Sequence, residues 1–330
     1  MSRNLTGSPS FTPFLAQLAS CLAASSYVAV LYLFPSARSR PWEIDGNGRR
    51  LDRHHPDILR ARLWAATFAT VVNLLAVGSS LRAFHSQGKM SLIDTIRSTF
   101  VLTGLSPSYP VNYLQYLQTL LQPVILVAIL YLGPLYTLFI LEPPSSFQKS
   151  PFHQIWSHLS NIYTLRAFIL GPLFEEIIYR GCITAFNLMV LPPNRLSRLQ
   201  LIFTCPLWFG LAHLHTVWEI YVNHGCTRRA LFSAATISLF QFVYTTMFGW
   251  YASFIHLRTG SLLGATLCHS FCNMMGLPPL LQSFSRYPQK RLTITIHYLI
   301  GVITFGYLVA RWASNPSLFP KSDFWNMSKH

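Results

Sequence analysis

Two adjacent carboxylates, Glu175 and Glu176, stand inside the apolar run 171–180, in a chain that has only ten Asp and Glu among 330 residues. A charge at the centre of a bilayer costs about 2.5–3.5 kcal/mol on insertion scales, so ionisable residues in such runs usually face a polar cavity and do work there. Helical spacing separates the two. Glu176 and Arg180 are four apart and share a face, which predicts an ion pair. Glu175 points about 100° away, and this orientation assigns it to proton handling.

Two further groups offer matching chemistry. His213, in Phe209-Gly210-Leu211-Ala212-His213, is an imidazole that titrates near neutrality, and Gly210 and Ala212 leave room for another helix to approach. His215 faces a different direction and is read as a neighbour or mouth residue. His269 and Asn273 are four apart on one helix face and could hold a developing oxyanion. The plainer reading of each is a polar residue bridging to a neighbouring membrane helix; three such sites on three apolar helices favour a shared intramembrane cavity. No nucleophile is evident. Ser270 lacks a Gly-x-Ser-x-Gly elbow, and neither a His-Glu-x-x-His nor a Gly-x-Gly-Asp motif occurs. What remains is a carboxylate and an imidazole activating water for attack on a carbonyl. Zinc held by the two carboxylates and two histidines stays open as an alternative, although Arg180 should occupy Glu176.

The elements that must position these groups are membrane helices. Half of the residues are hydrophobic, 11% are charged and 14% are aromatic. Apolar runs are expected as helices over about 13–34, 58–81, 114–141 (interrupted by Pro123 and Pro134), 158–170, 171–191, 199–221, 231–257, 261–277 and 292–312, with 91–105 lying at the interface. Pro172 is expected to open the Glu175–Glu176 helix, since proline is tolerated in a first turn. The fold expected is all-α: a single polytopic transmembrane domain over 1–330, with seven or eight spans around the cavity. Front helices cover 1–150 and the motif-bearing half 151–290, followed by the last span and a tail. The loop with Pro143, Pro144 and Pro151 separates the two halves.

The formal charge of +15 gathers in short loops, at Arg38 to Arg53, Arg195 and Arg198, Arg228 and Arg229, and Arg286 to Arg291. Such loops mark the cytoplasmic face of a membrane protein, whereas nucleic-acid binders gather charge on a soluble domain; no nucleic acid is expected. The six cysteines lie mostly in apolar stretches, and Cys268 and Cys272 are spaced four apart rather than as Cys-x-x-Cys. The first apolar run is too long for a cleavable signal and reads as a retained span.

In order and spacing, Glu175-Glu176-x-x-x-Arg180, Phe209-x-x-x-His213 and His269-x-x-x-Asn273 resemble the type II CAAX prenyl endopeptidases, within the wider ABI family of intramembrane proteins. The stretches 206–213, 240–249, 258–260 and 267–273 look like the eukaryotic branch, the Ras-converting enzymes of the endoplasmic reticulum. The resemblance is strong over about 165–279; Ala167 and Thr216 depart from it where Asn and His are frequent. It implies a multi-pass protease of the endoplasmic reticulum membrane with its site open to the cytosol. Such a protease removes the last three residues from farnesylated or geranylgeranylated CAAX proteins, Ras-like small GTPases among them. Glu175 and His213 would activate water, His269 and Asn273 would form the oxyanion hole, and Glu176 and Arg180 would support the site, with no cofactor or metal. A zinc-dependent version and a non-catalytic scaffold of the same family are the alternatives. With the 38–53 loop in the cytosol, the Asn4-Leu5-Thr6 sequon would be lumenal.

Overall fold

The computed structural model describes residues 11–84, 90–107, 112–142, 161–315 and 322–327. Asn4 of the sequon, the Pro143, Pro144 and Pro151 loop and the start of the span expected at 158 lie outside them. The described chain is almost wholly helical: α1 (Pro13–Leu33), α2 (Pro56–Phe84), α3 (Leu92–Leu102), α4 (Tyr113–Leu130), α5 (Leu132–Tyr136), α6 (Ile162–Leu165), α7 (Gly171–Glu176), α8 (Ile183–Leu188), α9 (Arg198–Ala212), α10 (Thr216–Asn223), α11 (Arg228–Thr259), α12 (Leu262–Met275), α13 (Leu280–Arg286), α14 (Arg291–Ser314) and α15 (Asp323–Met327). One short antiparallel hairpin, β1 (Arg40–Ile44) with β2 (Arg50–Leu51), joins α1 to α2.

Among the described residues, six helical stretches are long and apolar enough to cross a membrane: Pro13–Leu33, Pro56–Phe84, Tyr113–Leu130, Arg198–Asn223, Arg228–Thr259 and Pro288–Ser314; the apolar stretch Leu132–Leu141 is shorter. The protein is therefore an all-α, multi-pass membrane protein. At its 11 residues, α3 reaches only about 16 Å, too short to span.

Two local expectations change. Pro172 does not open a helix, because the chain is helical throughout 162–188, with π turns at Arg166–Leu170 and Ile177–Cys182. A proline inside an α-helix clashes with the carbonyl four residues back. The first π turn, closed by the Gly171 N–H on the Arg166 carbonyl, widens the backbone just ahead of it. Likewise Pro123 sits within α4 without ending it, and the break comes at Tyr131, where the backbone leaves helical angles (φ −87°, ψ 18°).

The described residues fall into two compact units. The first comprises Met1–Tyr109, Phe174–Leu262 and Ser322–His330. Its helices start on side-chain caps: Thr12 accepts from the Leu15 N–H with Pro13 next to it, Ser197 and Gln200 close a capping box, and Thr227 accepts from the Ala230 N–H. Helix α1 packs on α2, α8 and α9, and α11 packs on α9 and α10. Buried Ala16, Ala23, Ala24, Ala65, Ala66 and Ala69 let these backbones approach. Gly210 shows how closely: a Cβ there would lie 2.3 Å from the Thr246 hydroxyl, so only glycine fits against α11. Polar side chains staple the helices, with Gln17 donating to Asn187 (2.9 Å), Asn187 to Ser20 (3.2 Å) and Asn73 to Ser26 (2.9 Å). Buried Arg62 of α2 donates to Glu219 of α10 (2.9 Å) and to the Ala37 carbonyl (2.9 Å). Gly260 ends α11 in the left-handed region (φ 66°). The C-terminal α15 folds back onto this unit, where the Arg198 guanidinium lies 4.2 Å from the ring centre of buried Trp325.

The second unit comprises Pro110–Leu173 and Leu263–Lys321. There α14 packs against α4 and α5. Gly301 permits this, since a Cβ would lie 2.7 Å from the Ile129 carbonyl. The His297 ring stacks on Tyr136 at 3.8 Å, and the Tyr131 hydroxyl donates to the Gly276 carbonyl (3.0 Å). Arg286 and Glu142 form an ion pair at 2.7 Å.

Candidate active site

In the first unit, the ion pair expected from helical spacing is present. Arg180 Nη1 donates to Glu176 Oε1 at 3.0 Å, and both side chains are fully buried. Aromatic faces complete the guanidinium's surroundings: its carbon lies 4.3 Å from the centre of the Phe209 ring and 5.5 Å from that of Phe248. The quadrupole of each ring attracts the cation where water is excluded. Gly249 of α11 leaves the space, because a Cβ there would come within 3.0 Å of Arg180 Nη2 and 2.6 Å of Pro206 Cβ.

Phe209 then connects the first motif to the second. Its ring meets Tyr179 at 5.0 Å and the His213 ring edge-on at 4.6 Å. Its backbone carbonyl lies 2.8 Å from His213 Nδ1. A carbonyl can only accept, so Nδ1 carries the proton and, in the neutral ring, Nε2 carries the basic lone pair. His213 stands where α9 ends and a 3-10 turn, His213–His215, leads into α10. His215 makes the same kind of bond, Nδ1 to the Ala212 carbonyl at 2.7 Å, and meets the Tyr32 ring at 6.1 Å. Glu175 is half-buried, unlike its neighbour.

In the second unit, His269 and Asn273 lie on the continuous helix α12, one turn apart as their spacing predicts. His269 is buried, and Asn273 is exposed, its amide donating to the Ala167 carbonyl at 3.0 Å. That carbonyl belongs to the π turn ahead of Gly171, where the backbone bonds run to the fifth residue. The Asn273 amide nitrogen has two hydrogens, so one bond to Ala167 leaves a second hydrogen for another acceptor.

The first unit thus brings His213 and Arg180, the latter bonded to Glu176, to the Phe209 ring, and Glu175 directly precedes Glu176 in the chain. Among the described residues, no three His, Cys, Asp or Glu side chains group as metal ligands. Two contributions escaped the residue pattern. The Arg62–Glu219 pair joins residues 157 apart and has no local signal. Thr216 is different: a threonine three residues after His213 can bond back to its carbonyl, a signal the spacing did hold.

Comparison with known proteins converges on one family. The model of the Rce1-like type II CAAX prenyl endopeptidases matches residues 157–275, which include all three motifs. The chain is 33% identical over 283 residues to "Probable CAAX prenyl protease 2" of Schizosaccharomyces pombe, covering 84% of this chain and 87% of that protein. It is 31% identical over 306 residues to human "CAAX prenyl protease 2" (91% and 82%), and 30% identical over 266 residues to that of Saccharomyces cerevisiae (76% and 78%). No solved structure matches the chain.

Proposed function

Because the chain belongs to the type II CAAX prenyl endopeptidases of the CAAX prenyl protease 2 kind, we propose that it removes the C-terminal tripeptide of prenylated CAAX proteins with Glu175 and His213 as its water-activating groups. It is a membrane-bound peptide hydrolase acting on prenylated proteins. The mechanism, the specific substrates and the compartment are our reading.

The observation that carries the reading is the difference in surroundings between two neighbouring glutamates. Arg180 binds Glu176, in full burial, and so ties that carboxylate into the packing. Glu175, half-buried one residue earlier, is oriented differently and lies within the unit that also holds His213 with Nε2 as its basic nitrogen. Glu175, acting with His213, takes one proton from water as its oxygen adds to the scissile carbonyl. The carbonyl oxygen becomes an oxyanion, and the family resemblance assigns its stabilisation to His269 and Asn273. When the intermediate collapses, the C–N bond breaks and the proton passes to the leaving amine. The products are a prenylcysteine carboxylate and a free tripeptide. A metal-dependent version assigns the carboxylates to a ligand role instead; the Glu176–Arg180 bond disfavours it.

The substrate's lipid fits a membrane enzyme, since each buried CH₂ is worth about 0.8 kcal/mol of membrane partitioning. Prenylation thereby delivers the peptide to the bilayer surface. Ras-like GTPases as substrates, the endoplasmic reticulum as location and a cytosolic opening follow from the family resemblance, and the basic loop between α1 and α2 agrees with a cytosolic face. The test is hydrolysis of a farnesylated CAAX peptide by the purified protein in bilayer discs, with and without chelator. Intact tripeptide released at an unchanged rate under chelator supports the reading. Stepwise loss of single residues, or activity lost to chelator and restored by metal, overturns it.

A further inference from the structure

His213 sits at a junction where the chain must turn, and a buried hydroxyl ties that junction to another helix. The His213 carbonyl accepts the Thr216 N–H and also the Thr216 hydroxyl, the latter at 2.8 Å. Thr216 Oγ1 in turn lies 3.1 Å from the Ser238 hydroxyl and 3.3 Å from Gln241 Oε1, both on α11. Thr216 and Ser238 are buried. One hydroxyl has one proton, and the shortest of these contacts assigns it to the His213 carbonyl. Thr216 Oγ1 is then the acceptor for the Ser238 O–H.

A hydroxyl bonding back three residues is common in helices and by itself only local. Here it extends, through Ser238, to a helix more than twenty residues away in sequence. Where α9 ends, the His213 carbonyl passes from the α-helix to the 3-10 turn, and the same residue's ring must stay bonded to the Phe209 carbonyl. Backbone and ring are therefore constrained from opposite sides, by Thr216 and by Phe209. The Arg62–Glu219 pair holds the next turn of α10 to α2.

We propose that Thr216, backed by Ser238, is a positioning residue for His213, fixing the direction of its Nε2 toward the water it activates. This inference rests on His213 acting with Glu175 to activate water. Thr216 touches no substrate, so its loss is expected in turnover rather than in substrate binding. A misplaced catalytic group can cost up to about 100-fold for a shift near 1 Å; loss of a hydrogen bond alone frees His213 less than that.

The test is steady-state hydrolysis of a farnesylated CAAX peptide by the full chain in bilayer discs, comparing His213→Gln, Thr216→Val, Thr216→Ser and Ser238→Ala. Thr216→Val is expected to lower kcat about ten-fold with KM changed less than about two-fold, and Thr216→Ser to recover most of that loss because it keeps the hydroxyl. Ser238→Ala, which leaves Thr216 intact, is expected to lower kcat about three-fold, and it decides the question if Thr216→Val does not fold. Unchanged kcat in both Thr216→Val and Ser238→Ala, beside an inactive His213→Gln, would overturn the positioning role and leave the mechanism standing. A loss in Thr216→Val that serine does not recover, or one confined to KM, would overturn it too. An active His213→Gln would overturn the role of His213 in water activation, and this inference with it.

Discussion

Two apolar helical regions of similar composition face opposite environments. From Ile177 to Leu188 every residue is buried, and the run includes Arg180 and Asn187. In α14, twice as long, only Ile294, Gly301 and Trp312 are buried, while Leu292, Leu299, Val302, Ile303 and Tyr307 are largely exposed. Hydropathy alone marks both as membrane helices. The difference lies in what surrounds each: protein on all sides in the first, an outward apolar face suited to lipid in the second. A charge needs partners that water cannot supply there, and the buried run has them in Glu176 and the rings of Phe209 and Phe248. The same logic separates the Glu176–Arg180 pair from the half-exposed Arg40–Glu43 pair of the hairpin, at a similar separation of 2.8 Å. Exposed pairs contribute little to stability.

The sharpest way to break this contrast is Arg180→Ala. It leaves a buried carboxylate without its cation, and breaking such a pair costs about 3–5 kcal/mol; the expected outcome is a large drop in the folded fraction in denaturant titrations. Arg40→Ala in the same assay should stay within about 0.5 kcal/mol. Next comes packing. Ile183, fully buried, should cost about 2–5 kcal/mol when cut to Ala, whereas Ile303, 67% exposed, should stay within about 0.5 kcal/mol. Equal losses at the two isoleucines would erase the distinction. Gly249→Ala probes the space beside Arg180: a methyl 2.6 Å from Pro206 Cβ must displace a neighbour, with an expected cost of about 1–3 kcal/mol.

The smallest effect concerns the hairpin. The Asp45 carboxyl accepts from the Arg49 N–H (2.7 Å) and lies beside the His55 ring (3.1 Å), which together hold its pKa below the usual carboxylate value. A lowered folded pKa stabilises the hairpin above the unfolded value, about 3.9, and that contribution is lost as pH falls through the folded pKa. The protection of the hairpin amides, relative to their intrinsic exchange rates, should therefore fall below about pH 4 in the wild type. In Asp45→Asn this acid-dependent step should be missing.

Much of this molecule was legible in the residues. Hydropathy located α1, α2, α11 and α14 to within a few positions, because the bilayer sets their length. Spacing of four foretold the Glu176–Arg180 bond, since that contact lies within one helix. What spacing could not show depends on contacts far along the chain or on backbone detail. Phe209 under Arg180 and Arg62 against Glu219 are tertiary. The π turns flanking α7 have no side-chain pattern, and they carry the helix past Pro172, where a local rule expects a start. Trp325 folding back onto Arg198 and Arg258 comes from a short tail that hydropathy passes over.

If the two adjacent glutamates do different work, removing the Glu175 carboxylate alone should stop turnover without unfolding the protein. Turnover of a farnesylated CAAX peptide would be measured for purified Glu175→Gln in bilayer discs, at a folded fraction matched to the wild type. The expected result is a fall in kcat of at least about 100-fold, the range of a lost general base, with thermal stability within a few degrees of the wild type. A Glu175→Gln protein that turns over at the wild-type rate, or that loses activity only because it no longer folds, would contradict it.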